Sequence, residues 1–366
     1  MGVKKKINWW KAKFDNNEVI NVTKAIKNKN ISQGNLTRKF EVKLAKKLKV
    51  KYAVLTINGT TSLLMAMMVC NIKSGDEVII QNRTWISPAN AAFLLNAKVK
   101  LVEVNSDRPT INLNDLKAKL TKKTKLIVVT HLNGYATDLQ KIKSILKKKK
   151  SNAYIIEDAA QALGSKYKNK YLGTQSIINC FSLSMTKLIS TGQGGFLTTN
   201  NKKIYNKLKL LRVHSLKNYP HDNKFLNFGF NFKYTDIQAS FGLSQLKKFN
   251  LNIKKVFKIY SLYLSKLKEN DNIKIIKSQI KEGELPIYVE VLIKKNRGKF
   301  IKYMNKNNIF CRTFYNSLNE APYLNIKGKF KNSDNFSRNG VYLPCGPDQK
   351  ISDINQVIKV INLFKF

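Results

Sequence analysis

The chain has little arginine. Of its 67 basic residues only seven are arginine, against 22 acidic residues, and the formal net charge is +45. Sequence-specific DNA readers grip guanine with arginine forks, and a basic excess that is nearly all lysine, spread along the chain with abundant asparagine and isoleucine, does not fit that role. It points to solubility, steering of anionic substrates and salt-sensitive sticking to polyanions. Cysteine is also sparse: Cys70, Cys180, Cys311 and Cys345 stand far apart with no C-x-x-C pair, which argues against zinc and against a disulfide framework. None of the three histidines has a second ligand at metal spacing. The longest apolar run, Leu63 to Cys70, is too short to cross a bilayer. No apolar signal core follows Lys4-Lys5-Lys6, and Gly2 lacks the serine or threonine of a myristoylation signal. A cytoplasmic protein without a metal site or a membrane insertion is expected.

What is present is enough for a large core. With 366 residues, the chain can build one large α/β domain and a smaller one. After a polar lead-in, with Trp9 and Trp10 as packing anchors and a helix from Val19 to Lys27, an amphipathic helix runs from Phe40 to Leu48. Strands are read at Tyr52 to Ile57, Glu77 to Gln81, Lys100 to Val104, Leu126 to His131 and Tyr154 to Ile156. Helices between them, at Ser62 to Cys70, Ser87 to Leu95, Leu113 to Leu120 and Leu139 to Leu146, predict a mostly parallel sheet covered on both faces. Further helices are expected at Lys203 to Lys217 and at Asp236 to Phe249, the latter behind a Thr235–Gln238 capping box. A long helix from Lys254 to Leu267 then leads into a small α+β unit ending in a helix from Ile354 to Phe364. The junction is placed near residue 250, giving a large domain over 1–250 and a small one over 251–366.

Two stretches carry the chemistry. Phe181 to Gly195 begins like a strand, offers one lysine, Lys187, and closes in a glycine-rich turn. A lysine held at a strand end is placed to form a Schiff base, because its amine must return to the same carbonyl carbon in every cycle. Upstream, the apolar run from Tyr154 ends in Glu157 and Asp158, and a carboxylate at the C-terminal end of a buried parallel strand lies where ligands bind in open α/β sheets. The Asn58-Gly59-Thr60-Thr61 turn, between a strand and a helix, suits a phosphate and equally suits plain helix capping.

Taken in order, Asn58-Gly59-Thr60, Thr84-Trp85, Glu157-Asp158-Ala159-Ala160-Gln161, Ser182 to Lys187, Thr191-Gly192-Gln193-Gly194-Gly195 and Gly229-Phe230-Asn231-Phe232-Lys233 resemble the DegT-type sugar-nucleotide aminotransferases. The resemblance runs from about Ile31 to the C-terminal helix. It implies a pyridoxal-phosphate (PLP) enzyme of fold type I, the aspartate-aminotransferase fold, with a mostly parallel central sheet flanked by helices and a smaller C-terminal α+β domain. Lys187 would carry PLP and shuttle the proton, and Asp158 would pair with the pyridinium nitrogen. Gln161 would reach the ring hydroxyl, Trp85 would stack on the ring, and Gly59, Thr60, Thr61 and Ser182 would bind the phosphate. Asn231 would enter the neighbouring subunit's site, so that a homodimer shares its active sites. Two positions depart from the family pattern, Gln193 where glutamate is frequent and Lys233 where arginine is frequent.

The resemblance further implies transfer of an amino group from L-glutamate to a nucleotide-linked 4-keto-6-deoxyhexose, giving a 4-amino-4,6-dideoxy sugar of the viosamine or perosamine type. Arg212 and Arg312 are the candidates for contact with carboxylate or diphosphate. A 3-keto sugar or cyclitol acceptor is the alternative within enzymes, and a PLP-binding sensor is the alternative outside them.

Overall fold

The computed structural model describes residues 5–219, 221 and 223–365, so Gly2 and Lys4 of the lead-in lie outside the described residues. Two helices open the chain, α1 (Asn16–Lys27) and α2 (Asn35–Leu48). The start of α1 is closed by an Asp15–Glu18 capping box, and the start of α2 by the distant Asp236 carboxylate, which accepts from Gly34, Leu36 and Thr37 N–H at 2.9, 3.1 and 2.8 Å. Then strands and helices alternate: β1 (Tyr52–Thr56), α3 (Gly59–Val69), β2 (Glu77–Gln81), α4 (Ser87–Leu94), β3 (Lys98–Val102), α5 (Leu113–Lys119), β4 (Thr124–Thr130), α6 (Leu139–Lys148) and β5 (Tyr154–Asp158). A small hairpin, β6 (Lys166–Tyr167) and β7 (Lys170–Tyr171), precedes β8 (Ile178–Ser182) and β9 (Gly195–Thr199).

These strands form a seven-stranded sheet in the order β1-β9-β8-β5-β4-β2-β3. Only β9 runs antiparallel to its neighbours, so the C-terminal ends of the other six strands share one edge with the start of β9. Strand β2 is buried along its whole length and β4 nearly so, as parallel strands covered on both faces require. The helix α3 is apolar all round and largely buried, because it lies beneath the sheet with α4 and α7 (Lys202–Arg212) packed against it.

Helix α7 (Lys202–Arg212) stops five residues before the expected Lys217. His214 and Ser215 have φ of 56° and 59°, a left-handed turn that no helix continues through. After α8 (Asp236–Lys247), with the expected Thr235–Gln238 box, α9 (Phe249–Lys266) leads to a second, antiparallel sheet. Its strands are β10 (Ile273–Ile275), β11 (Val289–Ile293), β12 (Arg312–Thr313) and β13 (Gly340–Leu343), in the order β10-β11-β13-β12. Helices α10 (Arg297–Lys306), α11 (Lys331–Asn339) and α12 (Ile351–Asn362) complete it.

The N-terminal lead-in pairs with this second unit, although it was grouped by sequence with the first. Ile7 N–H donates to Asn308 O at 2.9 Å, and Cys345 N–H donates to Trp9 O at 2.8 Å. The segment therefore lies across the edge where the two units meet, and one continuous hydrophobic cluster joins Trp10 and Phe40 to Tyr288 and Leu343. Among the described residues no helix is long and apolar enough to cross a membrane.

Candidate active site

At the shared strand edge, between the two sheets, lies a cleft of about 300 Å³. The end of β1 delivers Asn58, Gly59 and Thr60, the end of β2 delivers Thr84 and Trp85, the end of β5 Asp158, and the end of β8 Ser182 and then Lys187. Across from them stand Trp9 of the lead-in and Tyr288, Arg312, Tyr315 and Tyr342 of the second unit.

The Gly59–Thr60 wall is the start of α3, where first-turn N–H groups have no partner within the helix. Asn58 caps it, accepting from Thr61 N–H at 2.8 Å and from the Thr61 hydroxyl at 3.0 Å. Thr61 is thereby a correction: both of its donors are committed to Asn58 and it does not line the cleft. Gly59 is needed for close approach, since a Cβ there would lie 3.2 Å from the Ser182 Cβ. Gly195 is tighter still, because a side chain would sit 2.5 Å from the Asn58 carbonyl carbon. Helix start, cap and serine thus converge on one small anion-sized cradle.

Asp158 is buried, and burial pushes its carboxyl above the usual carboxylate range, while the Ala160 N–H at 3.1 Å, Lys187 and His131 pull it back. Beside it, Glu157 is fully buried and accepts from Gly173, Gln175 and Ser176 N–H at 2.7, 2.7 and 2.8 Å, with His131 Nε2 3.0 Å away. Of the two adjacent carboxylates, then, Glu157 fastens the chain and Asp158 faces the cleft. Gln161 also lines the cleft, with its side-chain oxygen held by Asn133 N–H at 3.0 Å, which leaves its amide N–H groups as the donors for a ligand.

Lys187 is enclosed. Burial depresses its amine from 10.5 to about 8; the nearby Asp158 charge opposes that change and Arg312 adds to it. The glycine-rich turn behind it is tied down through the Gln193 carbonyl, which accepts from the Thr191 hydroxyl at 2.6 Å and from Gln238 Nε2 at 3.0 Å. The capping box of α8 therefore also steadies the lysine-bearing loop. Gly192 has a φ of 75° with open space around it, so conformation alone calls for glycine there.

The two arginines part company. Arg312 stands in the cleft, exposed, with its guanidinium 5.1 Å from the Trp9 ring. Arg212 lies outside it, a second correction: it is buried, and Nη1 donates to Glu41 at 2.5 Å and to Leu55 O at 2.9 Å. With Nη1 so engaged, the arginine ties α7 to α2 and β1 and does not line the cleft. Asn231 is exposed and lies away from its own chain's cleft. Trp85 is half exposed, edge-on to Tyr315 at 5.4 Å. The roles of Trp9, Tyr288, Tyr315 and Tyr342 carry no local signal in the sequence, because these residues reach the site only through tertiary packing.

The residues present fit pyridoxal phosphate. A cradle at a helix start suits its phosphate, a buried carboxylate its ring nitrogen, and a depressed amine its aldehyde, while the buried Thr84 hydroxyl has no partner of its own among the described residues. Fold and site together define a PLP-dependent aminotransferase. The chain belongs to the DegT/DnrJ/EryC1/StrS aminotransferase family, whose model matches residues 12–362. It is 30% identical to the GDP-perosamine synthase of Escherichia coli O157:H7, over 91% of each chain. It is 28% identical to a UDP-4-amino-4,6-dideoxy-N-acetyl-beta-L-altrosamine transaminase of Campylobacter jejuni, over 93% of this chain and 92% of that one. Helicobacter pylori PseC, an aminotransferase involved in pseudaminic acid biosynthesis, shares the fold with a TM-score of 0.91 and 22% identity over 98% of each chain.

Proposed function

We propose that this enzyme moves an amino group from L-glutamate to a nucleotide-linked 4-keto-6-deoxyhexose, yielding a 4-amino-4,6-dideoxy sugar nucleotide. The observation that carries the reading is the confrontation of Lys187 and Asp158 in one buried cleft whose mouth holds an exposed arginine. The amino sugars named for the relatives support the acceptor class.

When bound, pyridoxal phosphate supplies an electron sink and a carrier for the amino group. Lys187 would hold the cofactor, and its amine would take and return the proton at the substrate carbon; an amine depressed to about 8 is suited to that exchange near neutral pH. Asp158 would keep a proton on the ring nitrogen. Gly59, Thr60 and Ser182 would hold the phosphate, Gln161 would donate to the ring oxygen, and Trp85 would cover the ring. Arg312 receives the carboxylate of glutamate or the diphosphate of the sugar nucleotide, with the field of the lysine-rich surface aiding capture. Asn231 completes the neighbouring subunit's phosphate site in a homodimer.

The test is the visible spectrum of the protein with pyridoxal phosphate, before and after glutamate, followed by incubation with 3-keto, 4-keto and cyclitol acceptors. Conversion by glutamate and a new C–N bond at C4, located by NMR, are expected. Amination at C3 would move the assignment to the alternative acceptor, and binding without conversion would make the protein a sensor.

A further inference from the structure

Among the described residues, the only hydrogen bond made by the Lys187 amine runs to the Tyr288 hydroxyl, 3.5 Å from Nζ. That hydroxyl has one proton, and 2.9 Å away stands the Thr186 main-chain oxygen, which can only accept. Tyr288 therefore donates to Thr186 and presents a lone pair to Lys187. The distinction matters chemically. A donor aimed at the amine would occupy the electron pair that attacks a carbonyl, whereas an acceptor engages an N–H and leaves that pair free.

The phenol is held from several sides. Trp10 and Tyr342 each meet its ring edge-on at 5.4 Å, and Trp9 is tilted against it at 5.8 Å. Its backbone is gripped by Asn133, whose Oδ1 accepts from Tyr288 N–H at 2.7 Å and whose Nδ2 donates to Tyr288 O at 3.0 Å. From the other side, Trp10 Nε1 donates to Met185 O at 3.1 Å, two residues before the lysine. Three segments remote in sequence, the lead-in, the entry to β11 and the lysine loop, thus meet around one phenol.

We propose that Tyr288 is a positioning residue for Lys187, its hydroxyl accepting from Nζ so that the amine's lone pair is turned into the cleft. The inference rests on Lys187 being the reactive amine, as in the function proposed above. The charged groups bearing on that amine are Asp158, which favours its protonated form, and Arg312, which disfavours it. Burial raises the Tyr288 hydroxyl above its ordinary range, so it stays neutral throughout.

Tyr288→Phe keeps the ring contacts and deletes only the acceptor. In apoprotein, the pH dependence of acetic anhydride labelling at Lys187, read by mass spectrometry of its peptide, gives the titration of the amine without any cofactor. Loss of an acceptor makes the ammonium harder to keep, so the midpoint in Tyr288→Phe is expected to fall by roughly half to one pH unit. In the loaded enzyme, kcat is expected to fall about tenfold with KM for glutamate changed much less, because geometry and not binding is lost. Trp10→Phe, which removes the bond to Met185, should show a smaller change of the same sign. An unmoved midpoint in Tyr288→Phe overturns the inference, whatever kcat does. Borohydride reduction of the wild-type holoenzyme and peptide mapping separate the two readings: cofactor fixed to a residue other than Lys187 would overturn the functional proposal itself.

Discussion

The site's character is set by two groups, the buried Asp158 and the half-buried Lys187, that pull each other toward the charged state while desolvation pushes both toward neutrality. Lys187 ends at about 8, below an ordinary lysine, and Asp158 ends above an ordinary carboxylate. The attacking form of lysine is the unprotonated one, so the rate at which apoprotein captures pyridoxal phosphate is expected to rise as the pH is raised through about 8 and then level off. Stopped-flow absorbance of reconstitution measures it; a rise deferred to the range of a free lysine would show that the amine is not buried in solution. Asp158→Asn retains the shape but cannot hold a positive ring nitrogen, and kcat is expected to drop by on the order of a hundredfold or more while the protein still binds cofactor. Neighbouring Glu157 has the opposite duty. Its oxygens are filled by three main-chain N–H groups and a histidine, so Glu157→Gln is a change in folding and not in chemistry.

At the scale of elements, most of the large sheet was legible. Each parallel strand is a short apolar run followed by turn residues, and those turn residues, Asn58-Gly59, Thr84-Trp85 and Asp158, are the ones that line the cleft. What escaped was whatever depends on segments meeting across the fold. Tyr288 stands in the sequence with nothing beside it to mark it for the site, and Trp9 and Trp10 read as packing anchors, until the lead-in is seen pairing with the second unit. Thr61 sits beside two lining residues and was grouped with them, yet its donors turn back to Asn58. Arg212 turns out structural for the same reason: its partner Glu41 lies 171 positions away on α2. Arg212→Met leaves that carboxylate buried without its counter-ion, with only the Leu55 N–H still donating to it at 2.9 Å, which costs about 3 kcal/mol. A clear fall in Tm with an unchanged KM for both substrates is expected, whereas Arg312→Met should raise KM and leave Tm nearly where it was.

For the molecule as a whole, the net charge of +45 acts at a distance, whereas the homodimer proposed above would act through one particular surface. Long-range attraction is screened by salt, so kcat/KM for the diphosphate sugar is expected to fall with rising ionic strength more steeply than kcat. The surface near Asn231 has a different character. Phe225, Leu226 and Phe228 are exposed there, with Phe228, Phe230 and Phe232 forming a ring ladder at 4.8 and 4.5 Å, and Asn231 sits in that ladder away from its own cleft. In the homodimer we propose, this apolar strip is covered and each Asn231 reaches the other subunit's phosphate. A twofold pair makes that claim testable by complementation, because each site then needs Lys187 from one chain and Asn231 from the other. Lys187→Ala removes the amine, and Asn231→Asp sets a negative charge against the phosphate, so each variant alone is expected to be nearly inactive. Co-expressed with different tags, half of the dimers are mixed, and each mixed dimer carries one site with both defects and one site with none. Activity near a quarter of wild type is therefore expected in the unfractionated mixture, and about half in purified mixed dimers. Mixed dimers with no more activity than either parent would place Asn231 in its own chain's function and remove the shared site.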